Sequence, residues 1–135
     1  MRAARNRALL CCFVAALAII SSRRSRSLEA RARNLGIELL FQGAADKLTA
    51  FNELLGRCDI GAEACAYIGD DLVDLPVMKR CGLAVAVPNA PARVLRQAHY
   101  VTRARGGHGA AREFCEILLH AQGSLAARLA GYADK

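Results

Sequence analysis

The stretch Ala66-Tyr67-Ile68-Gly69-Asp70-Asp71-Leu72-Val73-Asp74-Leu75-Pro76-Val77-Met78 decides the fold class. A short apolar run, Cys65 to Ile68, reads as a strand buried on both faces. Gly69 stops it, and the carboxylates Asp70, Asp71 and Asp74 follow before an apolar helical pattern begins. Acidic side chains just past the carboxyl end of a parallel strand stand where open α/β sheets hold ligands and metals. Oxygen ligands of this kind suit magnesium, which binds through one or two carboxylates while substrate phosphate completes its shell. The plainer reading makes Asp70 or Asp71 the N-cap of the following helix, but three carboxylates exceed what capping requires.

Outward from this segment, strands and helices alternate. Downstream, Leu72 to Arg80 reads as a helix ended by Cys81-Gly82, and Leu83 to Val87 as a strand stopped by Pro88. Ala92 to Ala98 is a short helix and Tyr100 to Thr102 a short strand. Ala110 to Ala121 is a helix with Phe114, Ile117, Leu118 and Ala121 on one face. Upstream, Asp46 to Cys58 is an amphipathic helix, Glu38 to Phe41 a strand and Ser25 to Asn34 a polar helix. Ala15 to Ile20 is a strand closing on Ser21-Ser22-Arg23. This alternation predicts a Rossmann-like α/β domain, a parallel sheet covered by helices on both faces. No repeat or linker marks a second domain, so residues 1–135 read as one domain with a flexible tail over 123–135.

Composition agrees with a globular chain: of 135 residues, 54% are hydrophobic and 23% charged, which argues against disorder. The six cysteines form no C-x-x-C pair, so they read as free thiols in a reducing cytosol. The net charge of +7 comes mostly from arginine, with eight of them in the first 33 residues. Such a patch suits an anionic partner. No basic-aromatic interleaving accompanies it, and phosphorylated small molecules suit arginine forks as well as nucleic acid does. No nucleic-acid or membrane partner is expected. Arg2, Arg5 and Arg7 before the apolar run Ala8 to Ile20 also have the form of a secretory signal, the basis of an alternative reading as an exported basic protein. Thirteen apolar residues are too few to span a bilayer as a helix.

Three further constellations fall at strand ends. Ser21 offers a hydroxyl and a helix-start N–H to a phosphoryl oxygen, or else simply caps the helix. Lys47 stands in the first turn of its helix, where a cation opposes the helix dipole. In a chain with three lysines it hints at a required point charge, though an ordinary surface lysine would read the same. Gly106-Gly107-His108-Gly109 is a flexible loop running into the last long helix, and His108 receives no role.

The ordered set Ile19-Ile20-Ser21-x-Arg23, Gln42-Gly43-x-x-x-Lys47 and Tyr67-Ile68-Gly69-Asp70-Asp71-x-x-Asp74 resembles motifs two to four of the haloacid dehalogenase (HAD) phosphatases. Within that family it is similar to the branch acting on 3-deoxy-D-manno-octulosonate 8-phosphate (KDO 8-phosphate). Leu28 to Ile37, Ala84 to Val87, Tyr100 to Arg103 and Gly106 to Glu113 look like the same branch. The resemblance runs from about Ala18 to Gly123.

The resemblance implies a capless, magnesium-dependent phosphatase that releases KDO for lipopolysaccharide synthesis, cytoplasmic and homotetrameric. It makes Ser21 a hydrogen-bond donor to the transferring phosphoryl group and Lys47 the group that offsets its charge. Asp70 would ligate magnesium with Asp71 and Asp74 in support, while Arg23 and Arg31 would hold the sugar acid phosphate. Two departures matter. Ser22 stands where the family has glycine. The family's motif-one Asp-x-Asp, its nucleophile and acid/base, is absent, since no D-x-D occurs in these residues. The chain therefore reads as lacking the family's first strand and as inactive alone, or as a catalytically dead binding or subunit module.

Overall fold

The computed structural model describes residues 16–133. Strand β1 (Ala18–Ser21) ends at the hydroxyl that the sequence places there. Helix α1 (Arg26–Asn34) follows, capped by Ser25, whose Oγ accepts the Leu28 amide hydrogen. That cap satisfies one of the N–H groups a helix start leaves unpaired. The chain returns as β2 (Leu39–Gln42), parallel to β1 in the register Ala18↔Leu39 to Ser21↔Gln42. Parallel neighbours need a crossover connection, which α1 supplies. These elements belong to one compact unit, described over residues 16–46. Ala32 is its one fully buried residue among those described, and every residue of β1 and β2 is half-buried. β2 pairs along one edge of β1, and the other edge has no ladder partner among the described residues.

The second unit is described over residues 47–133. It opens with α2 (Lys47–Cys58), a 3₁₀ turn (Ala62–Ala64) and β3 (Ala66–Gly69). A second 3₁₀ turn (Leu72–Asp74) leads into α3 (Leu75–Met78), then β4 (Leu83–Ala86). Next come α4 (Ala92–Gln97), β5 (Tyr100–Val101), α5 (Ala110–Ala121) and α6 (Leu125–Ala133). The strands form a parallel sheet in the order β3-β4-β5. Phe51, Val77, Met78, Val85 and Val94 are its largest fully buried apolar side chains. Ala84, Val85 and Ala86 on central β4 are wholly buried, which explains that strand's uninterrupted apolar sequence.

The predicted α/β alternation with parallel strands holds, with two differences. The helix expected over Leu72 to Arg80 is split into the 3₁₀ turn and the four-residue α3. Pro76 is the cause: it has no N–H and is tolerated only in a first helical turn, so the α-helix begins beside it. The segment read as a flexible tail contains a helix, Leu125–Ala133, rich in the helix formers Ala and Leu. The beginning of the predicted first strand at Ala15, and the whole basic stretch Arg2 to Arg7, lie outside the described residues. The four described cysteines, Cys58, Cys65, Cys81 and Cys115, are free thiols.

Glu113 on α5 anchors the segment after β5. Its carboxylate accepts the backbone N–H groups of Arg103 (2.9 Å) and Ala104 (2.9 Å) and the Tyr100 hydroxyl (2.8 Å). The Ala104 and Arg103 amides, then Tyr100, hold the Glu113 carboxyl below its ordinary value of 4.5. A carboxyl lowered in the folded state contributes stability above its unfolded value, and that contribution is lost as pH falls through the folded one. The melting midpoint of the protein should thus fall more steeply below pH 4.5 than that of Glu113→Gln. Parallel acid limbs for the two proteins would refute this role.

Candidate active site

The turn after β3 is built around Asp74, whose side chain is only 2% exposed. Its Oδ1 accepts from Lys47 Nζ at 2.6 Å and from the Tyr67 hydroxyl at 2.6 Å. Its Oδ2 accepts from the backbone N–H groups of Asp70 (3.0 Å) and Asp71 (3.1 Å). Asp71 in turn accepts the Leu72 amide hydrogen at 2.7 Å, so Asp71 and Asp74 cap the turn reciprocally. Gly69 permits this close packing: a Cβ there would stand 2.7 Å from Asp74 Cβ.

The electrostatics follow from this geometry. Burial pushes the Asp74 carboxyl up, but the bonds from Lys47, Tyr67 and the two amides outweigh it and hold it below its ordinary value. Burial, followed by the bond to Asp74, raises the Tyr67 phenol, which therefore stays a donor. The sequence left a cation at the start of α2 unexplained. The structure supplies its counter-charge, a buried carboxylate from the far side of β3.

Asp71 and Asp74 thus stand behind Asp70 and shape the turn that presents it. Asp70 itself is exposed, and its carboxylate makes no hydrogen bond or ion pair among the described residues. No group of three or more His, Cys, Asp and Glu side chains among those residues is gathered to hold a metal. A single open carboxylate still fits magnesium, which keeps several waters and takes one or two carboxylates together with substrate phosphate.

In the first unit, the turn after β1 carries the other predicted residues. The Arg23 N–H donates to Ser21 Oγ at 3.2 Å. With one lone pair so engaged, the Ser21 hydroxyl keeps its own hydrogen for an incoming acceptor. Arg23 and Arg31 are exposed, on the turn and on α1 respectively. Arg24 packs back on Gly43, where a Cβ would stand 2.7 Å from Arg24 Nε.

The sequence model of the haloacid dehalogenase-like hydrolases matches residues 25–114. The chain belongs to the haloacid dehalogenase-like hydrolase family. Its match to that family includes Arg31, Lys47, Asp70, Asp71 and Asp74, whereas Ser21 and Arg23 lie just upstream. The chain is 53% identical over 109 residues to 3-deoxy-D-manno-octulosonate 8-phosphate phosphatase KdsC of Yersinia pestis, covering 81% of this chain and 58% of that protein. KdsC of Escherichia coli strain K12 is 50% identical over the same length, with the same coverage. The chain thus spans a little under three-fifths of the length of these curated relatives. A crystal structure of the Moraxella catarrhalis phosphatase, in complex with magnesium ion, phosphate ion and KDO, matches with a TM-score of 0.84 and 42% identity. That match covers 86% of this chain and 67% of the other.

Tyr67 is the residue that the sequence reading passed over. Its signal was a hydroxyl-bearing ring in a strand whose other members are aliphatic or glycine. Strand alternation alone cannot tell whether such a hydroxyl meets water or a buried carboxylate.

Proposed function

We propose that this haloacid dehalogenase-like chain carries the metal- and substrate-binding part of a magnesium-dependent phosphatase that hydrolyses KDO 8-phosphate to KDO and phosphate. The observation that carries this reading is the Lys47–Asp74 ion pair at 2.6 Å beside an open Asp70, in a chain 53% identical to the Yersinia pestis KdsC over 109 residues. Phosphoryl transfer demands positioning and charge neutralisation above all. In this reading Ser21 donates to the phosphoryl group, Lys47 offsets its charge, and Arg23 and Arg31 hold the sugar acid. Asp70 ligates magnesium, with Asp71 and Asp74 fixing its turn. The ion, when bound, supplies charge neutralisation at the phosphoryl oxygens.

On the same reading the working enzyme is a cytoplasmic homotetramer with a single domain per subunit, and its product enters lipopolysaccharide synthesis. No described helix is long and apolar enough to cross a membrane. The test is a magnesium titration of the chain followed by calorimetry. Asp70→Asn should weaken magnesium by more than about tenfold, since even residues behind a metal ligand cost that much when changed. The melting midpoint should not move, because the side chain is exposed. Identical titrations for both proteins would remove Asp70 from the metal site.

A second reading is a binding or subunit module without turnover; the residues given hold no D-x-D pair and span 58% of the Yersinia pestis relative. Covalent phosphoryl transfer has no course without an attacking group. The coding DNA before Met1 separates the two. An in-frame Asp-x-Asp strand supports the phosphatase, and an in-frame stop supports the module.

A further inference from the structure

Building on the phosphoryl-binding reading of the turn after β1, we infer that Gln42 is the positioning residue of that turn. β1 and β2 end level, with Ser21 beside Gln42. Two backbone bonds tie the chain after β2 to the turn: the Ala44 N–H donates to Ser21 O at 3.0 Å, and the Gly43 N–H to Arg23 O at 3.3 Å. The far end of the turn is held by a side chain. Ser25 N–H donates to Gln42 Oε1 at 2.8 Å across 17 positions of sequence.

Ser25 caps α1 with extended backbone, φ −148 and ψ 123, so its own N–H lies outside the helical ladder. Helices commonly satisfy that group with a Glu or Gln at the third helical position. Here that position is Leu28, which has no acceptor, and Gln42 takes over the task. Gln42 therefore fixes both where α1 begins and where the turn bearing Ser21 and Arg23 ends. Its chemistry is specific to an anion site. A carboxylate of the same length would hold the Ser25 N–H equally well, but would set a negative charge beside the anion. A neutral amide holds the turn without that repulsion.

The test uses the ¹⁵N-labelled 135-residue chain, its Gln42→Met and Gln42→Glu variants, and inorganic phosphate with magnesium as the probe. In Gln42→Met, Ser25 amide protection should fall by about two- to tenfold, the worth of one such bond, and phosphate affinity by a similar factor. Gln42→Glu should keep the Ser25 protection yet weaken phosphate, a split that a purely structural role would not produce. Unchanged Ser25 exchange in Gln42→Met overturns the inference, as does lost protection with unchanged phosphate affinity. A parent chain in which phosphate shifts neither the Ser21 nor the Arg23 amide overturns the phosphoryl-binding reading instead. The Ser25 exchange comparison then still decides whether Gln42 holds the turn.

Discussion

Asp74→Ala should lower the unfolding free energy by about 3–5 kcal/mol, the cost of breaking a buried ion pair by removing one partner. Lys47 would keep its charge in a pocket where it is 11% exposed, and the Tyr67 hydroxyl and the Asp70 and Asp71 amides would lose their acceptor. Against a typical total of about 5–15 kcal/mol, that is a large share. The melting midpoint should fall by about 10–20 °C for a chain of this size. Asp74→Asn, which keeps the shape but not the charge, should fall between mutant and parent. Adding Lys47→Met to Asp74→Ala should restore part of the loss, because the uncompensated ammonium goes with it. A midpoint within two or three degrees of the parent for Asp74→Ala would mean that the four bonds do not hold this turn together.

The second large effect concerns turnover. The 135-residue chain should show none on KDO 8-phosphate with magnesium, because it contains no D-x-D pair to supply a nucleophile. Appending an Asp-x-Asp strand taken from a relative should restore turnover and raise the melting midpoint together. The added strand would bring both the attacking carboxylate and a ladder partner for a strand edge that is unpaired among the described residues. In that extended protein, Lys47→Ala should lower kcat by about 10²–10³, the cost typical of one lost electrostatic stabiliser, with a smaller change in KM. Phosphate release by the unextended chain above background would defeat the first half. A rise in KM with kcat intact would defeat the second, since it would make Lys47 a uniform binder.

The fold was legible because its signals are local. Apolar runs stop at Gly69, at Pro88 and at Ser21-Ser22. Each is followed by a helical pattern, and alternation of that kind has few packed solutions. Ser21, Lys47 and Asp70 do fall at strand ends or helix starts, as their spacing implied. Where the reading missed, tertiary contacts had overridden local pattern. The apolar stretch after Asp71 has helical period, yet Pro76 and the Asp71–Asp74 cap fold its first turn as 3₁₀.

The division of labour among the three aspartates shows where sequence stops. Their order and spacing determined that three carboxylates would crowd one turn after a buried strand. Which of them faces solvent, which caps and which is buried depended on donors elsewhere in the chain. Lys47 is 27 positions away and reaches Asp74 only after α2 and β3 have packed. Tyr67 adds a second donor from within the strand. A carboxylate can be buried only if such partners surround it, so the partners, not the local spacing, assigned Asp74 to the interior and left Asp70 open.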